Sequence, residues 1–323
     1  MAHARDEILD WVERGRIAPE NLRAALEAGG ALPSSAEWRS FLEQLLLWLG
    51  AVFLAAAGIF FIAYNWASMG RYAKFALAEM PIAAALGFVW WLGLERAAGR
   101  AALLAAALLV GALLALIGQI YQTGADTFEL FAAWAAAILP WVLIGRFAAL
   151  WIVWIAIVNL ALAFYFQTFG GMFGILFGPE RQLWFLFALN TAALAAWEGC
   201  AAVGVKWLRE RWAARVLATA SGALATTLAL FDILDWRTAS GFAVPAWLAW
   251  LGCAYAVYRR RIKDLFVLAG GALSVVVIVA TFLAEHMPRI DEAFAFLLIG
   301  LIVIGLSAAA GWWLKRIASE EDA

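Results

Sequence analysis

Apolar residues along this chain come in ten long runs separated by short polar breaks, at about 45–64, 75–94, 101–121, 128–145, 147–166, 182–205, 216–234, 242–258, 265–284 and 293–314. Several approach the ~20 residues that an α-helix needs to cross ~30 Å of hydrocarbon. The runs at Leu130–Gly145 and Phe242–Tyr258 are short. The fourth and fifth are parted only by Arg146, which predicts a very tight hairpin. The pattern predicts an all-α, polytopic integral membrane helix bundle of about ten transmembrane helices.

A different pattern precedes the first run. Ile8, Leu9 and Val12 recur at helical spacing among Asp6, Glu7, Asp10 and Glu13. Gly15 ends that helix, Pro19 opens a second with Leu22 and Leu26 on one face, and Gly29-Gly30 closes it. This predicts a helical hairpin. Ser34-Ser35-Ala36-Glu37 has capping-box spacing and starts a helix that runs on into the membrane. The expected organisation is a cytosolic helical cap at 1–43 and five spans in 44–166. An outer loop at 167–181, five spans in 182–316 and a tail at 317–323 follow. Pro81, Pro140 and Pro245 fall inside spans and are expected to kink them or to open a backbone bond. The glycine-broken segment Gly170–Pro179 reads as a surface loop, because re-entry needs protein cover for its backbone.

Composition agrees. Hydrophobic residues make up 66% of the 323 and charged residues 15%, with a mean hydropathy of +0.86. A soluble domain is nearer half apolar and a quarter charged. The charged first ten residues hold no apolar core of a signal peptide, so none is expected. Net charge is only −1, but its distribution is uneven. Eighteen of the 23 Lys and Arg fall on one set of alternate loops, and Arg71, Lys74, Arg181, Arg237 and Arg289 on the other. The positive-inside rule then predicts both termini on the cytoplasmic side.

This orientation gathers costly polar groups at the outer face. The nine residues Gly118–Asp126 hold two amides, a phenol, a hydroxyl and a carboxylate between two apolar runs. Ionisable and polar groups near membrane depth point to function. Asn65, Arg71, Lys74, Glu79, Gln119, Tyr121, Gln122, Asp126 and Glu129 are the candidate solute-binding residues, with Gln119 and Gln122 on one helix face. The competing reading is that they knit helix ends together by hydrogen bonds. A second outer cluster holds Asp232, Asp235, Arg237, Glu285 and His286. Its carboxylate spacing fits no calcium loop. Asn159 and Asn190 are expected to bridge helices, and Glu198 to snorkel to, or pair with, Lys206.

No enzyme is expected. His3 in the tail and His286 in a loop are the only histidines, so no histidine metal cluster or intramembrane Ser–His pair is available. Cys200 and Cys253 lie in apolar runs, which disfavours a disulfide or thiolate site. No phosphate-binding glycine loop occurs, so no metal or cofactor is expected, nor any nucleic-acid partner.

The segment Trp11–Ile17, a glycine-containing first span ending in Ala63-Tyr64-Asn65-Trp66, and Gly118–Asp126 followed by Trp134 carry a resemblance. Over residues 5–150 the chain resembles a family of predicted bacterial membrane proteins, domain-of-unknown-function family 2157. The resemblance implies membership and no activity. Ten spans with both ends inside also look like the two inverted five-helix repeats of the drug/metabolite transporter superfamily, by fold-level analogy alone. Two functions are expected from this. The first is a transporter-like protein binding a small polar or amphipathic solute, or a lipid, at the outer site. The alternative is a non-transporting scaffold or sensor whose residues 1–32 dock a cytosolic protein. The lipid bilayer is a partner in both.

Overall fold

The computed structural model describes residues 2–32, 35–64, 68–170, 179–234, 241–286 and 292–320. All regular structure in the described residues is helical: α1 (Ala2–Glu13), α2 (Leu22–Ala28), α3 (Ser35–Tyr64), α4 (Arg71–Leu92), α5 (Ala97–Tyr121) and α6 (Thr127–Gly145). There follow α7 (Ala148–Gly170), α8 (Pro179–Val203), α9 (Arg211–Leu234), α10 (Ala243–Arg260), α11 (Leu265–His286) and α12 (Glu292–Ser319). Short 3-10 turns occupy Pro19–Asn21 and Lys206–Arg209.

Among the described residues, nine helices are long and apolar enough to cross a membrane. The eighth expected span, α10, falls outside that group. Its 18 residues end on Arg259-Arg260, and its tryptophans and tyrosines dilute its hydropathy. It still reaches about 27 Å, close to the hydrocarbon thickness.

The chain forms two compact units, residues 1–109 with 319–323, and residues 110–318. In the first, α1 and α2 make the expected hairpin. Gly15 and Gly30 close its two helices with φ of +69° and +67°. Ile8 is buried against Gly29, where a Cβ would lie 2.6 Å from its Cδ1. Between α4 and α5, Arg100 Nε donates to the Leu94 carbonyl at 2.9 Å. Gly99 packs there so closely that a Cβ would overlap the Gly93 carbonyl.

In the second unit α9 is the centre, packed against α8, α10 and α11. Its buried face carries Ala213, Ala214, Ala218, Ser221, Ala225 and Ala229. Small side chains let helix backbones approach, which drives association where lipid removes the hydrophobic force. α6 and α7 pair as the tight hairpin expected, with Arg146 in the left-handed region at φ +48°. Pro140 lies inside α6 and Pro81 inside α4, as the sequence implied. Pro245 stands at the start of its helix and not inside it. It is the third residue of α10, in a first turn whose N–H groups have no intrahelical partner. The Gly170–Pro179 loop lies outside the described residues at 171–178.

Candidate functional site

The turn from α5 to α6 is built by its backbone. α5 stops at Tyr121, and Gln122 enters the left-handed region at φ +44°, with Gly124 following at +65°. Gln122 therefore leaves the helix, and the expected shared face with Gln119 does not form. Asp126 precedes α6, and its N–H donates to Glu129 Oε2 at 3.0 Å. Both carboxylates sit at the positive end of the α6 dipole, where anions are stabilised. Asp126 and Glu129 thus hold the turn, while Gln119, Tyr121 and Gln122 are exposed.

Arg71, Lys74 and Glu79 fall in the first nine residues of α4. Arg71 lies over the Tyr72 ring, 4.8 Å from its centroid, and donates to the Tyr72 hydroxyl at 3.0 Å. Glu79 is exposed and takes no partner among the described residues. Asn65 lies outside them.

In the second expected cluster, Asp232 ties α9 to α10. Its Oδ2 accepts the backbone N–H groups of Ala243 at 2.9 Å and Val244 at 3.3 Å. Glu285 and His286 end α11, and the His286 ring stacks on Phe282 at 4.3 Å. Asp235 and Arg237 lie outside the described residues.

Inside the bundle, Asn159 is the twelfth of 23 residues in α7, and Asn190 the twelfth of 25 in α8. They form a closed amide pair. Asn190 Nδ2 donates to Asn159 Oδ1 at 2.6 Å, and Asn159 Nδ2 to Asn190 Oδ1 at 3.3 Å. Each also donates at 2.8 Å to the carbonyl four residues back in its own helix. Further bridges use hydroxyls and indoles. Ser221 on α9 meets Thr191 at 2.7 Å and accepts from Trp250 Nε1 at 2.8 Å. Ser274 on α11 meets Thr226 at 2.7 Å and accepts from Trp247 Nε1 at 2.7 Å. These bonds replace water that the bilayer core does not supply.

The densest charge in this unit was not the one expected. Glu198 does not pair with Lys206. It accepts two bonds from Arg211 Nη1, at 3.0 and 3.1 Å, and one from the Tyr258 hydroxyl at 2.9 Å. Arg211 turns its Nη2 to Asp264 Oδ2 at 3.0 Å. Arg215, one turn further along α9, donates from Nε to both Asp264 oxygens, at 3.0 and 3.2 Å. Phe266 N–H adds a bond to Asp264 Oδ1 at 3.1 Å. Two cations and two anions therefore clamp α8, α9, α10 and the start of α11. The Asp264 side chain is only 2% exposed. The signal was present in the sequence: Arg211 and Arg215 are four apart at a span start, and Asp264 is the only acid among Arg259, Arg260, Arg261 and Lys263.

Burial alone would push the Asp264 carboxyl up, but hydrogen bonds from Arg215 and Arg211, with their charge, hold it below the usual carboxylate range. A folded value below the unfolded one gives stability that is present above the unfolded value and lost as pH falls through the folded one. The clamp is therefore expected to be fully stabilising above about pH 5 and to weaken progressively below about pH 4. A thermal-unfolding series in detergent from pH 7 to pH 3 checks this. Asp264→Asn should remove part of that acid-side slope.

The helical hairpin, the apolar first span and the polar turn at Gly118–Asp126 lie in one contiguous stretch. Residues 9–151 match the model of the DUF2157 family, described as predicted membrane protein. The match agrees with the resemblance over residues 5–150. It takes in α3 to α6, and the DUF2157 stretch ends at Trp151, one turn into α7. The Asn159–Asn190 pair and the four-helix clamp lie beyond it. No curated protein and no solved structure matches the chain.

Proposed function

We propose that the protein lies in a bacterial inner membrane with both termini cytoplasmic. On this reading it works as a membrane scaffold or sensor, with the hairpin at residues 1–32 docking a cytosolic protein, and not as a carrier of a polar solute. One observation supports this most: the mid-bilayer amides Asn159 and Asn190 are spent on each other. A polar path near the midplane would need such groups free to meet solute or water. The hydroxyl and indole bridges have the same character of helix glue. The reading includes no catalysis.

A second reading keeps a solute site on the outer side, and Glu79 favours it. An unpartnered carboxyl on a membrane helix is costly unless water, a solute or a proton satisfies it. Cysteine accessibility separates the two without a known substrate. In a variant with Cys200→Ala and Cys253→Ala, Asn159→Cys should resist a membrane-impermeant maleimide applied from either side. Labelling at Asn159→Cys would overturn the scaffold reading. Labelling of Glu79→Cys from outside would establish a wet pocket at α4, and protection there would remove the solute site.

A further inference from the structure

Between α7 and α8 runs an apolar groove of about 410 Å³, within the size range of ligand sites. Ala192, Ala193 and Ala196 on α8 leave the space, and Trp151, Trp197 and Trp207 wall one end. Trp151 stacks on Trp207 at 5.9 Å, and Trp197 meets the same ring edge-on at 5.7 Å. That is the end where α7 begins and α8 gives way to the 3-10 turn Lys206–Arg209.

The same end is cationic. Lys206 and Arg209 flank Trp207 and Leu208, which both line the groove, and Arg146 stands two residues before α7. All three are exposed, and none has an acidic partner among the described residues. This sets them apart from Arg211 and Arg215, which are held by Glu198 and Asp264. The nearby acid Glu210 accepts the Trp212 indole N–H at 2.8 Å.

We propose that this groove is a binding site for an anionic phospholipid. One acyl chain lies along Ala192 and Ala196, and the phosphate sits at Lys206 and Arg209 with Arg146 beside them. Tryptophans favour the membrane–water boundary, and basic pockets between membrane helices hold acidic head groups. A second copy of the chain would bring another row of cations against the first, whereas an acidic lipid supplies the missing charge. The proposal rests only on the chain lying in a bilayer and is independent of the scaffold reading.

The test titrates the full-length protein in detergent with phosphatidylglycerol or phosphatidylcholine of identical chains, read by native mass spectrometry. Phosphatidylglycerol should bind roughly tenfold tighter or more, since each surface cation contributes a factor of roughly five. Arg146→Gln with Lys206→Gln and Arg209→Gln should bring it down to the phosphatidylcholine level. Ala192→Phe with Ala196→Phe, both at exposed positions, should weaken both lipids. Arg260→Gln with Arg261→Gln, a control on exposed cations elsewhere, should keep the preference. Equal binding of the two lipids by the unaltered protein would overturn the proposal. So would a preference that survives the triple variant or disappears in the control. Displacement of phosphatidylglycerol by excess inorganic phosphate would show a free-anion site and sink the lipid assignment.

Discussion

Replacing Asp264 by alanine is expected to destabilise the α8–α11 assembly by about 3 kcal/mol, the lower end of the range for stripping one partner from a buried pair. The reason lies in what remains. Arg211 still has Glu198, but Arg215 loses the carboxylate that takes its Nε. The Phe266 N–H loses its acceptor as well. Both arginines are partly exposed, so water offsets some of the loss and the upper end of the range is not reached. Unfolding in SDS, read by tryptophan fluorescence, gives the number. Arg215→Ala in the same background should then cost much less than it does alone, because its partner has gone. A change below about 1 kcal/mol for Asp264→Ala would mean that the clamp is only a surface network.

Gly111→Ala is expected to cost about 1–3 kcal/mol through overpacking. A Cβ there would meet Cε2, Cζ2 and Cδ2 of Trp134 at 2.6–2.7 Å, so it would strike the ring itself and not a movable tip. The ring has little freedom to give way. Trp134 stacks with Phe131 at 6.0 Å, and Phe131 with Phe164 of α7 at 5.3 Å. The alanine therefore has to push α5 from α6 or turn an indole held in an aromatic column. Trp134→Leu should restore much of the loss in the double variant while being harmful alone. The same SDS series measures all three proteins, and additive effects would show that the two side chains do not meet.

The spans were legible because hydrocarbon imposes a length on any helix that crosses it, and α4, α5 and α6 begin and end within about four residues of their apolar runs. The N-terminal hairpin was legible because Gly15 and Gly30 stand where the backbone turns left-handed. Asn159 and Asn190 were legible as helix bridges, since an amide at that depth has few other uses. Their choice of each other was not written locally. Nor was the partner of Glu198: Lys206 is eight residues away, but Tyr258 is 60 away and answers to the packing of α10 on α9. Close approach was not legible from residue size. Gly111 lies against Trp134 and Gly222 against Trp250, while Gly300 and Gly305 have no described residue within 4 Å of where a Cβ would stand. In an alanine-rich chain a small residue shows where a helix can be approached, and only the large residue opposite shows where it is. The candidate solute residues were chosen by depth and polarity, which do not register that Asp126 and Glu129 serve the start of a helix.

The clamp also sets an order of assembly. Glu198 and Arg211 enter the bilayer together as the α8–α9 hairpin, thirteen positions apart, and can compensate each other at once. Asp264 follows Arg211 by 53 positions and emerges only after α10. Until then Arg215 has no counter-ion in the clamp, and the α8–α9 pair remains loosely joined to what comes later. The α10–α11 loop brings the carboxylate that completes the clamp, so these four helices can take their clamped packing only after that part of the chain has been made.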